Sequence, residues 1–96
     1  MRLNEVIFID NLPTLDLHGY DRETATVAIA DFIRDNIKLK NDVVVIVHGV
    51  GSGVIRRTTH DVLRKNKNVL EFKVHYFNEG ATIVRIKFWQ LANFML

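Results

Sequence analysis

No cysteine occurs among the 96 residues, which excludes a disulfide framework, a thiolate zinc site and a cysteine nucleophile. With one proline and five glycines, the chain also lacks the composition of a collagen-like or low-complexity segment. The longest apolar run, Val43 to Val47, falls far short of the ~20 residues that span a bilayer. The first residues show neither the basic start nor the apolar core of a secretory leader. These absences lead to the expectation of a cytoplasmic location and no membrane partner. A large charge excess is missing too: the net charge is +2, too small by itself to argue for nucleic acid.

What remains is an ordinary globular composition, 48% hydrophobic and 25% charged. A chain of this length buries about 60–65% of its unfolded surface, enough for one core and not for two. The charges are unevenly placed. Residues 1–40 carry five basic and seven acidic side chains, whereas residues 52–76 carry six basic and two acidic, and this second stretch reads as an anion-facing surface.

Residues 1–13 read as an N-terminal arm or short edge strand, with β-prone residues at 5–9 and turn residues at Asp10, Asn11 and Pro13. From Thr14 to His18, Leu15 and Leu17 alternate with Asp16 and His18, a strand that turns the acid and the imidazole toward one face. Asp21 is an N-cap for a helix over roughly residues 22–39, whose Ala25, Ala28, Ile29, Phe32, Ile33 and Ile37 make one apolar stripe. The β-branched run 43–47 suits a strand buried on both sides, and strand, helix, strand in that order implies a parallel unit.

A second helix is expected from about Gly53 to Asn66, with Ile55, Thr59, Val62 and Leu63 inward and Arg57, His60, Arg64 and Lys67 outward. Leu70, Phe72, Val74 and Tyr76 then alternate with polar residues in a third strand. Asn78-Glu79-Gly80 turns into a fourth over residues 82–88, pairing with the third as a hairpin. The apolar tail, residues 89–96, packs on the sheet or offers a patch for a second copy of the chain.

Four of the five glycines (Gly19, Gly49, Gly51 and Gly53) directly follow the two parallel strands. In open α/β sheets such strand ends form the ligand crevice, and Gly51-Ser52-Gly53 leads into a helix whose first amides suit a phosphate. Arg56 and Arg57 fall in that first turn, where the helix dipole disfavours cations unless an anion comes close; solvation at the surface is the other reading of Arg57. His18 and His48 end neighbouring strands, with Asp16 behind His18, an arrangement that suits phosphodiester cleavage. The alternative is that these histidines only hydrogen-bond the loops. His60 and His75 read as surface residues rather than metal ligands. The loop has neither the Gly-Lys-Ser/Thr of a P-loop nor the GxGxxG spacing of a dinucleotide site. A divalent metal such as magnesium would find one motif carboxylate, Asp16.

These motifs resemble the Smr (small MutS-related) domain, whose marks are a Leu-Asp-Leu-His-Gly strand end and a His-Gly-x-Gly-x-Gly loop. Here they stand as Leu15-Asp16-Leu17-His18-Gly19 and His48-Gly49-Val50-Gly51-Ser52-Gly53, followed by Val54-Ile55-Arg56. The resemblance covers the domain read at residues 14–88. It implies a two-layer α/β (α+β) fold of βαβαββ order, with a mixed four-stranded sheet and two helices on one face, similar to the C-terminal domain of a bacterial translation initiation factor. It also implies binding to DNA or RNA, with nicking or endonuclease activity in some members. By the same resemblance Asp16, His18 and His48 are the catalytic candidates, and Gly49, Gly51, Ser52, Gly53 and Arg56 bind phosphate, with Arg57 beside them. The chain departs from many relatives at Val50, where they carry Lys or Arg, and in the shortened segment Asn78-Glu79-Gly80-Ala81. A non-catalytic RNA- or ribosome-binding module is the competing expectation.

Overall fold

The computed structural model describes residues 11–75 and 78–87. Its elements run β1 (Thr14–Asp16), α1 (Arg22–Lys38), β2 (Val43–Val47), α2 (Val54–Lys65), β3 (Val69–Val74) and β4 (Ala81–Ile86). They form one four-stranded sheet in the order β1-β2-β4-β3. β1 and β2 are parallel, and β4 pairs antiparallel with both β2 and β3.

The β-branched run of β2 takes a central position because a strand with neighbours on both sides must be apolar on both faces. Val44, Val45 and Ile46 are fully buried and Val43 nearly so; at ~1.5–3 kcal/mol for each such side chain this strand contributes a large part of the core energy. One face of the sheet carries Leu15, Leu17, Val44, Ile46, Val84 and Ile86, and the apolar stripe of α1 (Ala25, Ile29, Ile33, Ile37) packs there together with Leu63 of α2. Both helices therefore cover the same face. Val43 and Ile83 gather on the other face with Leu12.

α1 begins where Asp21 closes a capping box: its Oδ1 accepts from Thr24 N–H at 2.8 Å, and the Thr24 hydroxyl accepts from Asp21 N–H at 3.1 Å. The hydrogen bonds that the carboxylate accepts from Thr24 hold its pKa below the usual value. The helix ends with Lys40 in the left-handed region, φ 65°, where its N–H bonds Ile37 O and the next residue's bonds Asn36 O. The buried Asn36 side chain completes this end by donating to Phe32 O and accepting from Asn41.

The third strand departs from the expected alternation. The β3–β4 register shifts between Val69 and Glu71, so Val69 and Phe72 pack against the core while Leu70, expected inward, stays exposed. A bulge inserts one residue and inverts the side-chain parity on either side of it. The expected strand at residues 5–9, the side chain of Tyr76 and the tail at 89–96, with the assembly role considered for it, lie outside the described residues. None of the described helices is long and apolar enough to cross a membrane.

Candidate nucleic-acid site at the strand ends

β1 stops because Asp16 turns its side chain onto the backbone: Oδ1 accepts from His18 N–H at 2.9 Å, and Tyr20 N–H closes the turn on Leu17 O at 3.0 Å. The Asp16 carboxylate, read from the sequence as lying behind His18, is thus bonded to the His18 main chain. The register sets Asp16 opposite Val47 and Leu15 opposite Ile46. Since paired residues of parallel strands share a face, Asp16 lies on the side of Val47, whereas His48 continues the Val44 and Ile46 side that meets the helices. His18 is exposed.

The ring of His48, buried at the end of β2, is held at both nitrogens. Nδ1 lies 2.8 Å from Gly49 O and Nε2 lies 2.7 Å from Thr82 Oγ1. Thr82 is 0% exposed and meets a second imidazole, since His60 Nε2 stands 2.8 Å from the same hydroxyl oxygen. The two rings approach edge to face with centroids 5.7 Å apart, and His60 also packs against Phe72 at 5.3 Å. The second imidazole beside His48 is therefore His60, which the helical pattern had assigned to the solvent face.

Burial lowers the pKa of both rings. For His48 the loss of hydration is opposed by the bond to Gly49 O and reinforced by the charge of Arg56. For His60 desolvation is joined by His48, Arg56 and Arg64 and opposed by Asp61. Both are neutral at pH 7, so the hydrogen-bond directions follow from valence. A carbonyl only accepts, so His48 Nδ1 carries the proton and its Nε2 accepts from the Thr82 hydroxyl. Thr82 Oγ1 then accepts from His60 Nε2–H, which leaves the lone pair of the His60 ring on Nδ1.

The glycine loop is fixed from the hairpin side. Gly80 O accepts from both His48 N–H and Gly49 N–H at 2.9 Å, so Gly49 supplies the turn and not a free amide. Gly80 sits so close that a methyl on it would stand 3.3 Å from Gly49 Cα. Gly51 and Ser52 are exposed. Gly53 is the N-cap of α2 with φ 85°, and no side chain caps the helix there. Apart from a long 3.4 Å contact from Val54 N–H to Ser52 Oγ, the first-turn amides, those of Ile55 and Arg56 among them, point outward without an intrahelical acceptor. The first turn holds no acid, in contrast to α1 with its Asp21 cap and Glu23. Arg56 is half-buried beside the imidazole pair, and Arg57 folds back toward Gly53, its Nη2 3.8 Å from where a methyl would be. Arg57 also borders a groove of about 680 Å³ between α1 and α2.

Among the described residues no three His, Cys, Asp or Glu side chains gather as a metal-binding group. His75, expected at the surface, is 6% exposed. Sequence reasoning placed His60 on the solvent face and gave Thr82 no role. The signal available was a Thr on the inward register of β4, level with Ile46 and therefore one step from His48, together with a His one turn after Arg56.

Residues 15–87 match the Smr domain family. Among curated proteins, the chain is 38% identical over 76 residues to endonuclease MutS2 of Brevibacillus brevis, covering 76% of this chain and 10% of that protein. It is 36% identical over 73 residues to endonuclease MutS2 of Aquifex aeolicus, again 76% of this chain and 10% of the relative. The chain thus spans about a tenth of the length of these relatives. Among solved structures, the Smr domain of Thermus thermophilus MutS2 superposes with a TM-score of 0.77 at 23% identity, covering 79% of this chain and 99% of that one. YdaL, a stand-alone small MutS-related protein from Escherichia coli, gives 0.66 at 22% identity over 77% and 63% of the two chains. With the two-layer fold, the strand-end motifs and this match extending across nearly all the described residues, the chain belongs to the Smr domain family.

Proposed function

We propose that this domain binds the sugar-phosphate backbone of a nucleic acid at the N-terminus of α2 and cleaves it there with imidazole assistance. The observation that carries the reading is a helix start with no side-chain cap and no acid in its first turn, flanked by Arg56 and Arg57 and adjoining two neutral imidazoles. Outward amides at the positive end of a helix dipole favour an anion, and the two guanidiniums add charge-assisted donors. The relatives named as endonucleases support phosphodiester cleavage as the reaction.

A second reading, a non-catalytic module that grips backbone phosphates, is favoured by the saturation of His48, both of whose ring nitrogens are bonded inside the protein. Fluorescence anisotropy with a labelled single strand tests binding. Affinity is expected to fall with salt at a log–log slope of about −0.7 per phosphate contacted, and Arg56→Ala to remove about one contact. Cleavage of single-stranded RNA and of supercoiled DNA, with His18→Ala and His48→Ala beside the wild type, separates the two readings. Cleavage that survives both substitutions rules out those histidines as the source of the activity.

A further inference from the structure

We infer that His60 Nδ1 is the proton-accepting atom of the cleavage reaction, with Thr82 and His48 positioning it. The inference rests on the function proposed above and names a residue that the motifs do not contain. Gly49 O fixes the proton on His48 Nδ1, the Thr82 hydroxyl donates a hydrogen bond to His48 Nε2, and His60 Nε2–H donates one to Thr82 Oγ1. Of the two rings only His60 keeps a lone pair outside this chain, and only His60 is partly open to solvent while His48 is buried.

Phe72 and His48 both pack against the His60 ring, and a flip of the ring would break its bond to Thr82. Arg56 precedes His60 by one helical turn, a rise of about 6 Å, which sets the imidazole on the stripe that runs back to the outward amides. When Nδ1 takes a proton, the Nε2–H bond to Thr82 becomes charge-assisted and strengthens, so the relay stabilises the imidazolium as it forms.

In the reaction the ribose 2′-hydroxyl gives its proton to Nδ1 while the 2′-oxygen bonds phosphorus and the bond from phosphorus to the 5′-oxygen breaks. The proton returns from His60 through solvent to the leaving 5′-oxygen, giving a 2′,3′-cyclic phosphate and a free 5′-hydroxyl. Among the described residues, the charged and titratable groups around His60 are Arg56, Asp61 and Arg64 on its own helix and His48 from the end of β2; Thr82 of β4 and Phe72 of β3 are neutral.

The test uses the full chain, a single-stranded RNA oligonucleotide for cleavage between pH 5 and 8, and its all-deoxy counterpart for binding. Wild-type cleavage is expected to rise with pH and level off below pH 6.5, the ordinary imidazole value. His60→Gln keeps a donor for Thr82 but has no base, so cleavage should drop by about 100-fold or more while deoxy-strand affinity stays within about twofold. Thr82→Val should slow cleavage and move the acid limb, and Thr82→Ser should restore both. Nitrogen-15 spectra of the wild type provide a readout independent of activity and of variant folding, with the proton expected on Nδ1 of His48 and Nε2 of His60.

Cleavage by His60→Gln at the wild-type rate, or the opposite tautomer at His60, overturns the inference. RNA left intact by a wild type that still binds the deoxy strand also overturns it and leaves the binding module standing. No binding of either strand removes the proposed function itself.

Discussion

Replacing Thr82 with Val isolates one hydroxyl, since the two side chains have nearly the same shape and the site is 0% exposed. The change removes the 2.7 Å bond to His48 and the 2.8 Å bond to His60 together. His48 is left with an acceptor nitrogen facing a methyl group, and an unsatisfied buried polar atom costs about 1–3 kcal/mol. His60 is half-buried and recovers part of its loss from water, so its share lies near the low end. A total of about 3 kcal/mol is expected, a large fraction of the ~5–15 kcal/mol that stabilises a whole domain. For a domain of this size that is a fall in Tm of about 12–24 °C. Thr82→Ser, which keeps the hydroxyl and loses one methyl, should cost about 1 kcal/mol. Calorimetry and urea denaturation of the three proteins at pH 7.5 measure both quantities. A valine variant as stable as the serine variant would show that the hydroxyl does not hold the two rings and that the hydrogen-bond directions assigned here are wrong.

Both imidazoles have folded-state pKa values below the ordinary 6.5, so their contribution to stability is complete above that pH and is lost as pH falls through the folded values. Urea midpoints should therefore decline between pH 7.5 and 5.5, and His60→Gln should flatten the decline; an unchanged slope would mean that burial does not depress these groups. Lys40, at φ 65°, carries a side chain where glycine is favoured, and Lys40→Gly should raise stability by about 0.5–1 kcal/mol in the same assay. Leu63, 1% exposed where α2 meets the core, should cost about 2–5 kcal/mol when cut to Ala. Ala at Gly80 would place its methyl 3.3 Å from Gly49 Cα, and the resulting shift of the glycine loop should weaken the proposed nucleic-acid binding, measured by anisotropy, by more free energy than urea denaturation shows it to cost in stability.

Much of the fold was legible because local and tertiary demands agree. The β-branched run at 43–47 is the central strand, and the stripe from Ala25 to Ile37 with its Asp21 cap is α1, ending one residue before the expected boundary. Two departures arise where one residue changes the periodicity or the direction of a side chain. The alternation over Leu70, Phe72 and Val74 fails because the bulge at Leu70 is set by pairing with β4, a contact that no local pattern encodes. His60 sits at a helical position that also serves a solvent face, and its ring turns inward because Thr82 and Phe72 await it there.

The two motifs lie together at one end of the sheet, as their places after β1 and β2 imply, yet which face each residue takes depends on register. Asp16 and His48 belong to opposite sheet faces by the pairing of β1 with β2, which two adjacent motifs cannot reveal. The use of the Gly49 amide by Gly80 follows from the insertion of β4 beside β2.

That single carbonyl of Gly80, accepting two successive amide protons, ties the mouth of the site to the tip of a hairpin. The His48 and Gly49 amides should therefore exchange with solvent together, at a rate governed by opening of the 78–80 turn rather than by fraying of β2. A strand of nucleic acid that reshapes the loop would have to loosen the hairpin at the same moment, and protection at Ala81, whose amide bonds Asn78 O across the same turn, would report occupancy.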